Sequence, residues 1–391
     1  MWCDHKKGSI TLKAQILYGI GNIKYTEVEV PALKDNEALI QVSACGICGS
    51  DIPRIYKTGA HNMPLVPGHE MTGMVKECTA RPELVGRRVG IFPLIPCKEC
   101  PQCKNGHYEM CENYNYLGSR CDGGFAEFVT VPVWNLIPLP DDISDDEAAM
   151  LEPMSVAVHA IREIGLISKV TAQDGSKQWT AGAAGDDETG SQPTIAVCGL
   201  GTIGLFVAMF LKDAGYRNVF CIGNKDIQKK KLLEMGYSEG DLCDVRFGEP
   251  ASFIKEKTGG RGVDYYFECI GRPESYEQAI KCAAPLGRVM LVGNPAADMD
   301  LPRETYWKIL RNQLTLKGTW NSSYPDDWTY VVERLTCWKK LRESAIKPND
   351  ELCAMDPSAL ITHRFNLEDM DQGLSIMKNK SEEYIKVMVN P

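Results

Sequence analysis

Positive charge is in short supply: 43 Lys and Arg face 52 Asp and Glu, a formal charge of −9. That balance excludes a general attraction to nucleic acid or to an anionic membrane surface, both of which need basic patches. The signature of disorder, low hydrophobicity with high net charge, is missing too, because 44% of the residues are apolar and 24% charged. No apolar run of signal-peptide length follows Met1–Lys7, and the end Met388–Pro391 carries no retention or peroxisomal address. The cytoplasm is therefore the expected location. No internal repeat is visible. One stretch, Thr194–Leu211, is uncharged over the length a bilayer needs, but three glycines at fixed spacing break it into a strand, a turn and a helix. A small-molecule partner is expected, with no nucleic acid and no membrane.

What is present is a chain of 391 residues, enough for two domains of about 150 residues each. From Lys13 to about Val133 short alternating segments such as Ala38–Val42, Gly86–Phe92 and Phe125–Val131 are cut by Gly and Pro, which predicts a twisted antiparallel β region with long loops. Asp145–Gly165 has helical spacing and is expected to join the two domains. Ser168–Gln192, rich in Gly, Ala, Ser, Thr and Asp, reads as an exposed insertion. From Thr194 strands and helices alternate, with strands expected at Thr194–Cys198, Asn218–Ile222, Val263–Glu268, Arg288–Val292 and Leu314–Gly318. Alternation of this length implies a parallel, doubly wound sheet. The expected division is 1–158 with 321–391 against 159–320, the insertion at about 168–192 falling in the second part.

Sixteen cysteines in a long chain without a leader point to free thiols and metal ligands rather than disulfides. Cys97, Cys100, Cys103 and Cys111 form C-x2-C-x2-C-x7-C, which lets four thiolates close a tetrahedron around one Zn2+ within a single loop. With every position filled by protein, that ion is structural. Lys98 and Lys104 in this lobe face Glu99, Glu109 and Glu112, so the basic footprint of a nucleic-acid module is lacking. A second constellation joins Gly46-Ile-Cys-Gly-Ser-Asp51, Gly68-His-Glu70 and a distant Glu152. Cys48 offers a thiolate, His69 an imidazole, and Glu70 or Glu152 a carboxylate, a set that suits Zn2+ with one position left open. Cys45 and Cys48 also read as a redox pair or as half a zinc ribbon, but a dithiol leaves His69 and Glu70 unexplained. Glu152 lies in an apolar helical segment, where a buried carboxylate is costly unless paired or bound to metal.

Gly199-Leu-Gly-Thr-Ile-Gly204 follows an apolar strand and opens an apolar helix, the setting in which G-x-G-x-x-G lets a backbone approach a pyrophosphate. Gly199, Gly201, Thr202, Ile203 and Gly204 are the expected contacts. The acid that grips a ribose hydroxyl should fall near Gly223 and is absent. The turn reads Gly223-Asn224-Lys225 instead, which removes a carboxylate and offers an amide and an ammonium to a 2′-phosphate. NADP(H) is expected over NAD(H). Asp226 is assigned to the first turn of the next helix, where the helix dipole favours it.

Taken together with Glu152-Pro153 and Phe267-Glu-Cys-Ile-Gly271, these motifs resemble the zinc-dependent medium-chain dehydrogenase/reductase family over nearly the whole chain. Asp51–His61, Tyr116–Glu127 and Lys308–Trp320 resemble its polyol-dehydrogenase group, including the members that act on polyol phosphates. The resemblance implies a GroES-like catalytic domain beside a Rossmann cofactor domain in a homodimer or homotetramer. It implies two zinc ions per chain, one structural, and one catalytic at Cys48, His69 and Glu70 with Glu152 as a fourth, exchangeable ligand. Ile270 and Gly293 join the cofactor contacts, and Trp320 the substrate contacts. The expected reaction takes a secondary hydroxyl of a sugar alcohol or its phosphate to the ketose. Zinc stabilises the alkoxide, Ser50 begins a proton relay, and hydride passes to the nicotinamide. Glu70 and Glu152 count with Ser50 as catalytic groups, and Arg54 and Arg120 are the candidates to hold a phosphate. The alternatives are an NAD-linked dehydrogenase of free polyols or simple alcohols, and a zinc-braced interaction protein.

Overall fold

The computed structural model describes residues 11–171, 177–182, 192–295, 297–344 and 355–391. Contacts divide the chain into two units, Met1–Glu152 with Ile361–Pro391, and Pro153–Leu360.

The first unit is built on strand Glu37–Ile47, whose alternating residues send Ala38, Ile40, Val42 and Ala44 into the core. It pairs antiparallel with Glu70–Glu77, with Lys386–Asn390 and with Phe128–Pro132. Arg88–Ile91, Leu136–Pro138 and Ile361–Asn366 complete a seven-stranded sheet. The hairpin Thr11–Gly19 with Asn22–Glu29 stands beside it, and its Leu12, Ala14 and Leu17 share the same apolar core. Strand register decides which residues meet, because Gly46 is opposite both Glu70 and Met388. The ends of three strands, from three distant parts of the chain, therefore come together just before Cys48. Gly68 takes φ +97°, and a Cβ there would press on Cys45 Sγ and the Phe125 ring at 2.9 Å. A left-handed backbone packed this closely calls for glycine, and it aims His69 and Glu70 inward.

In the second unit six parallel strands run in the order Leu242–Asp244, Val219–Gly223, Ile195–Cys198, Val263–Glu268, Ala283–Leu291, Thr315–Gly318. Numbered by position in the chain this is 3-2-1-4-5-6, the dinucleotide-binding order, with its switch point between Ile195–Cys198 and Val263–Glu268. The uncharged run at 194–211 folds as a strand, a glycine turn and helix Thr202–Asp213, with Phe206, Phe210 and Leu211 fully buried in the unit's own core. Among the described residues no helix is long and apolar enough to cross a membrane.

Three expectations are revised. The single helix at Asp145–Gly165 is two, Asp145–Ala149 and Leu151–Glu163. A capping box from Ser144 and Glu147 starts the first, and the second carries the chain from one unit into the other. The insertion is not irregular where it is described: Ile167–Thr171 and Lys177–Ala181 form an antiparallel ribbon, and Trp179 packs on Tyr330 with centroids 4.9 Å apart. The rest of it, 172–176 and 183–191, lies outside the described residues. The return to the first unit, expected at 321, comes at Ile361, because helix Asp326–Glu343 packs on helix Thr202–Asp213 through Trp338 and Phe210, 5.3 Å apart. Trp338 is fully buried and its Nε1 donates to Asp213 Oδ1 at 2.6 Å. Trp338→Ala is therefore expected to lower the unfolding free energy by about 3–5 kcal/mol, as urea unfolding would measure. A loss under about 1 kcal/mol would show that this helix contributes little to the second core.

Candidate metal centres and cofactor turn

Cys48 lies one residue past strand Glu37–Ile47, and His69 and Glu70 sit where the partner strand begins. One ligand atom from each of the three lies within 4.8 Å of the others, with His69 and Glu70 buried. Cys45, the other half of C-x2-C, is fully buried against Gly68 and Gly124, and burial raises its thiol pKa well above the usual value. The redox-pair reading fails on that placement. Asp51 fixes the loop by accepting the backbone N–H of Cys48 at 2.9 Å, and its Oδ1 stands 3.5 Å from His69 Nδ1. That contact attracts charge but is not aligned as a hydrogen bond, since Nδ1 has no hydrogen-bond partner. Ser50 Oγ donates to Cys48 Sγ at 3.3 Å.

The electrostatics ask for a cation. Burial opposes charge on His69, yet the Asp51 carboxylate and then Cys48 raise its pKa well above the ordinary value. Burial pushes Glu152 up to about 7, with Glu70 adding to the rise. A divalent ion among a thiolate, an imidazole and a carboxylate would satisfy these groups together, so the residues present fit zinc. Glu152 falls outside the three-residue set. It is buried, and its Oε1 accepts from the Tyr116 hydroxyl at 3.3 Å.

The four cysteines also converge. Cys97, Cys100, Cys103 and Cys111 hold their sulfurs within 4.8 Å of one another, all as free thiols. The backbone N–H of Cys97 donates to Cys111 Sγ at 3.2 Å, and the N–H of Cys100 to Cys97 Sγ at 3.4 Å. Backbone N–H groups of Cys103 and Glu112 lower Cys100 to about 6, whereas burial raises Cys103 to about 12. Strands Leu94–Ile95 and Asn115–Tyr116 pair at the lobe's base.

In the second unit the glycine turn occupies the carboxyl end of the first strand. Gly201 caps helix Thr202–Asp213, and a Cβ on Gly204 would collide with Gly199 O. Gly199 has φ +94° and lies so close to Ile270 that a Cβ would meet its Cγ1 at 2.5 Å. Gly293 packs on the Ile270–Gly271 backbone, so Ile270 and Gly293 gather at the switch point beside Gly199. Glu268, fully buried, accepts from Ile270 N at 2.8 Å and Gly271 N at 2.9 Å and shapes this turn. Gly223 is the last residue of its strand, and Gln228 Oε1 takes the backbone N–H of Asn224 at 3.0 Å and of Lys225 at 3.2 Å.

Comparison with known proteins agrees with both halves. The family described as "Alcohol dehydrogenase GroES-like domain" matches residues 34–141, and "Zinc-binding dehydrogenase" matches 202–336. Galactitol 1-phosphate 5-dehydrogenase of Escherichia coli K12 is 30% identical over 365 residues, covering 90% of this chain and 93% of its own. The chain belongs to the zinc-dependent medium-chain dehydrogenase family. Sorbitol dehydrogenase of Bacillus subtilis 168 is 25% identical over 390 residues, 97% of each chain. The crystal structure of the Escherichia coli galactitol-1-phosphate dehydrogenase superposes with a TM-score of 0.80 at 27% identity, covering 97% of this chain and all of that one. This dehydrogenase is accordingly an oxidoreductase of the zinc-binding, nicotinamide-linked alcohol and polyol group.

Sequence reading missed three of its residues. Lys386 is 2% exposed, and its Nζ donates to Glu70 Oε2 and, at 3.3 Å, to Ile47 O. The only signal was a single lysine set in an apolar run, Ile385-Lys-Val-Met-Val389, at the last strand. Tyr116 stacks edge-on to His69, centroids 5.8 Å apart. Arg246 bonds both Asp244 and Asp226, which answers the exposed acid beside the Gly223 turn. Arg54 is also committed, because its Nη1 holds Asp51 Oδ1 at 2.5 Å, and the Arg120 guanidinium lies 4.2 Å over the Tyr114 ring. Trp320, in the second unit, is half exposed.

Lys386→Met would strand the Glu70 carboxylate in the core, at a cost of about 3–5 kcal/mol in the zinc-free protein. Zinc would offset part of that loss, so the melting-temperature gap between variant and wild type should narrow when zinc is added. An identical gap with and without zinc would show that Glu70 does not meet the metal.

Proposed function

We propose that this dehydrogenase interconverts a sugar-alcohol phosphate, of the galactitol 1-phosphate kind, with its ketose, using NADP(H). The convergence of Cys48, His69 and Glu70 carries the reading. These residues would hold a catalytic zinc, with Glu152 as the exchangeable fourth ligand, and the four-cysteine lobe a structural one. A zinc ion so held supplies a Lewis acid that lowers the pKa of a substrate hydroxyl. Asp51 orients the His69 ring, Lys386 fixes Glu70 from behind, and Ser50 Oγ, beside Cys48, takes the hydroxyl proton toward solvent. A bound nicotinamide would supply the acceptor for hydride from the carbinol carbon, so that oxidation of the alcohol is balanced by reduction of the cofactor. Gly199, Gly201, Thr202, Ile203 and Gly204 would bind the pyrophosphate, with Ile270 and Gly293 beside them.

A phosphate on the substrate would fall to two arginines in the unit that carries the candidate metal ligands, Arg54, which also holds Asp51, and Arg120, which also lies over the Tyr114 ring. Trp320 completes the proposed substrate contacts. NADP is supported by Asn224 and Lys225 at a turn with no acid at Gly223. Free NAD-linked polyol oxidation is the second reading, favoured by Asp226, whose exposed carboxylate stands at the same turn. Assembly as a homodimer or homotetramer is supported by helix Arg303–Arg311, which exposes Tyr306, Trp307 and Leu310 and precedes the edge strand Thr315–Gly318. The free thiols of the described cysteines suit the cytoplasm.

A matrix of polyols and polyol phosphates against NAD and NADP tests the proposal. We expect kcat/KM to be highest for a polyol phosphate with NADP, by about tenfold or more over the free polyol. A free polyol with NAD as the best pair would establish the second reading. In Gly223→Asp the new side chain meets Leu200 Cδ1 and Gln228 Oε1, at 2.6 and 2.7 Å from its Cβ, so both side-chain ends must shift and Gln228 must loosen its hold on the turn. It should move the NADP/NAD preference by about tenfold toward NAD, and an unchanged ratio would count against the role of this turn.

Arg54→Ala frees Asp51, so kcat falls for every substrate. Beyond that, KM should rise about tenfold more for the phosphorylated polyol than for the free one. Equal rises would take Arg54 out of the phosphate site.

A further inference from the structure

We infer that Tyr116 is a positioning residue that holds Glu152 off the metal and so keeps a coordination position open to substrate. The inference rests on reading Cys48, His69 and Glu70 as a zinc centre. Glu152 enters from the first turn of helix Leu151–Glu163 with its side chain more than nine-tenths buried. It remains outside the set of ligand atoms that Cys48, His69 and Glu70 form. Its hydrogen bond comes from the Tyr116 hydroxyl, 3.3 Å from Oε1.

Tyr116 has little freedom to follow a moving carboxylate. Its backbone pairs with Leu94 at the base of the cysteine lobe. Its ring lies edge-on to His69 at 5.8 Å and 64°, and to Tyr114 at 6.3 Å and 76°. The two carboxylates at this centre are thus held differently: Lys386 backs Glu70, whereas a neutral hydroxyl holds Glu152. A buried carboxylate deprived of its donor seeks the nearest cation, because leaving it unpaired costs more than moving it. Lys386 is already committed to Glu70, so a zinc ion held by Cys48, His69 and Glu70 would be the cation left to receive Glu152. Four protein ligands would then close the tetrahedron and convert an open, catalytic site into a closed one.

This predicts an effect opposite to loss of packing. Tyr116→Phe keeps the ring contacts with His69 and Tyr114 and removes only the hydroxyl. Enzyme loaded with two equivalents of zinc, or with cobalt as a visible probe, is mixed with a chelator, and the two release phases are followed. In Tyr116→Phe the catalytic ion should leave about tenfold more slowly than in the wild type, while kcat falls by at least the same factor. The cobalt absorption bands should shift as a carboxylate enters the coordination sphere. Adding Glu152→Gln to this variant should bring release back to within about twofold of the wild-type rate. Release that is equal or faster in Tyr116→Phe, with unchanged cobalt bands, would overturn the inference and leave the zinc reading intact. A wild-type chain that takes up metal only in the four-cysteine lobe would overturn the zinc reading first, and this inference with it.

Discussion

A buried ammonium facing a buried carboxylate, Lys386 on Glu70, is the constraint from which the rest of the catalytic unit takes its shape. Neither charge is tolerable alone in that core, so each strand end that carries one is pinned to the other. Lys386 begins the last strand, Glu70 begins the strand after Gly68-His69, and both press on the backbone at Gly46. A Cβ at Gly46 would collide with Glu70 Oε2 and come within 2.8 Å of Lys386 Cε, so the glycine is part of the pair's geometry. Burial works against the charge on Lys386, and the Glu70 carboxylate reverses that and raises its pKa. Cys48 comes within two residues of Gly46, and the candidate metal ligands are brought together by the same register.

The two candidate metal centres reflect one chemical principle used in opposite ways. Four sulfurs in 15 residues close a site from local sequence, helped by backbone N–H groups aimed at the thiolates. The mixed site draws on segments far apart and leaves a carboxylate in reserve. In the second unit the switch point is built from close approaches that only glycine permits at Gly199 and Gly204, while buried Glu268 ties down the facing turn.

Legibility tracked the range of the interactions. The cysteine lobe, the glycine turn and the strand Val263–Glu268 were readable because each depends on residues near in sequence. Leu242–Asp244 was not, since three residues carry too little periodicity, and without that strand Arg246 had no assigned place beside Gly223. The stretch that forms helix Asp326–Glu343 reads as part of the other unit because nothing in its local pattern names its partner, which is Phe210. Ribbon Ile167–Thr171 with Lys177–Ala181 was hidden in a composition typical of loops, and its anchor, Trp179 on Tyr330, spans about 150 residues.

The amino-acid sequence by itself determined the class of each half, the thiolate and imidazole chemistry on offer, and the spacing that fits a closed tetrahedron or a phosphate turn. Such information is local, set by period, glycine placement and ligand type. Only the tertiary structure decided that Lys386 would stand behind Glu70, that Asp51 would be shared by Arg54 and His69, and that Tyr116 rather than a metal ligand would be the donor facing Glu152. Those pairings depend on strand register and on the cost of burying a charge without a partner, and neither quantity is written in any short stretch of the chain.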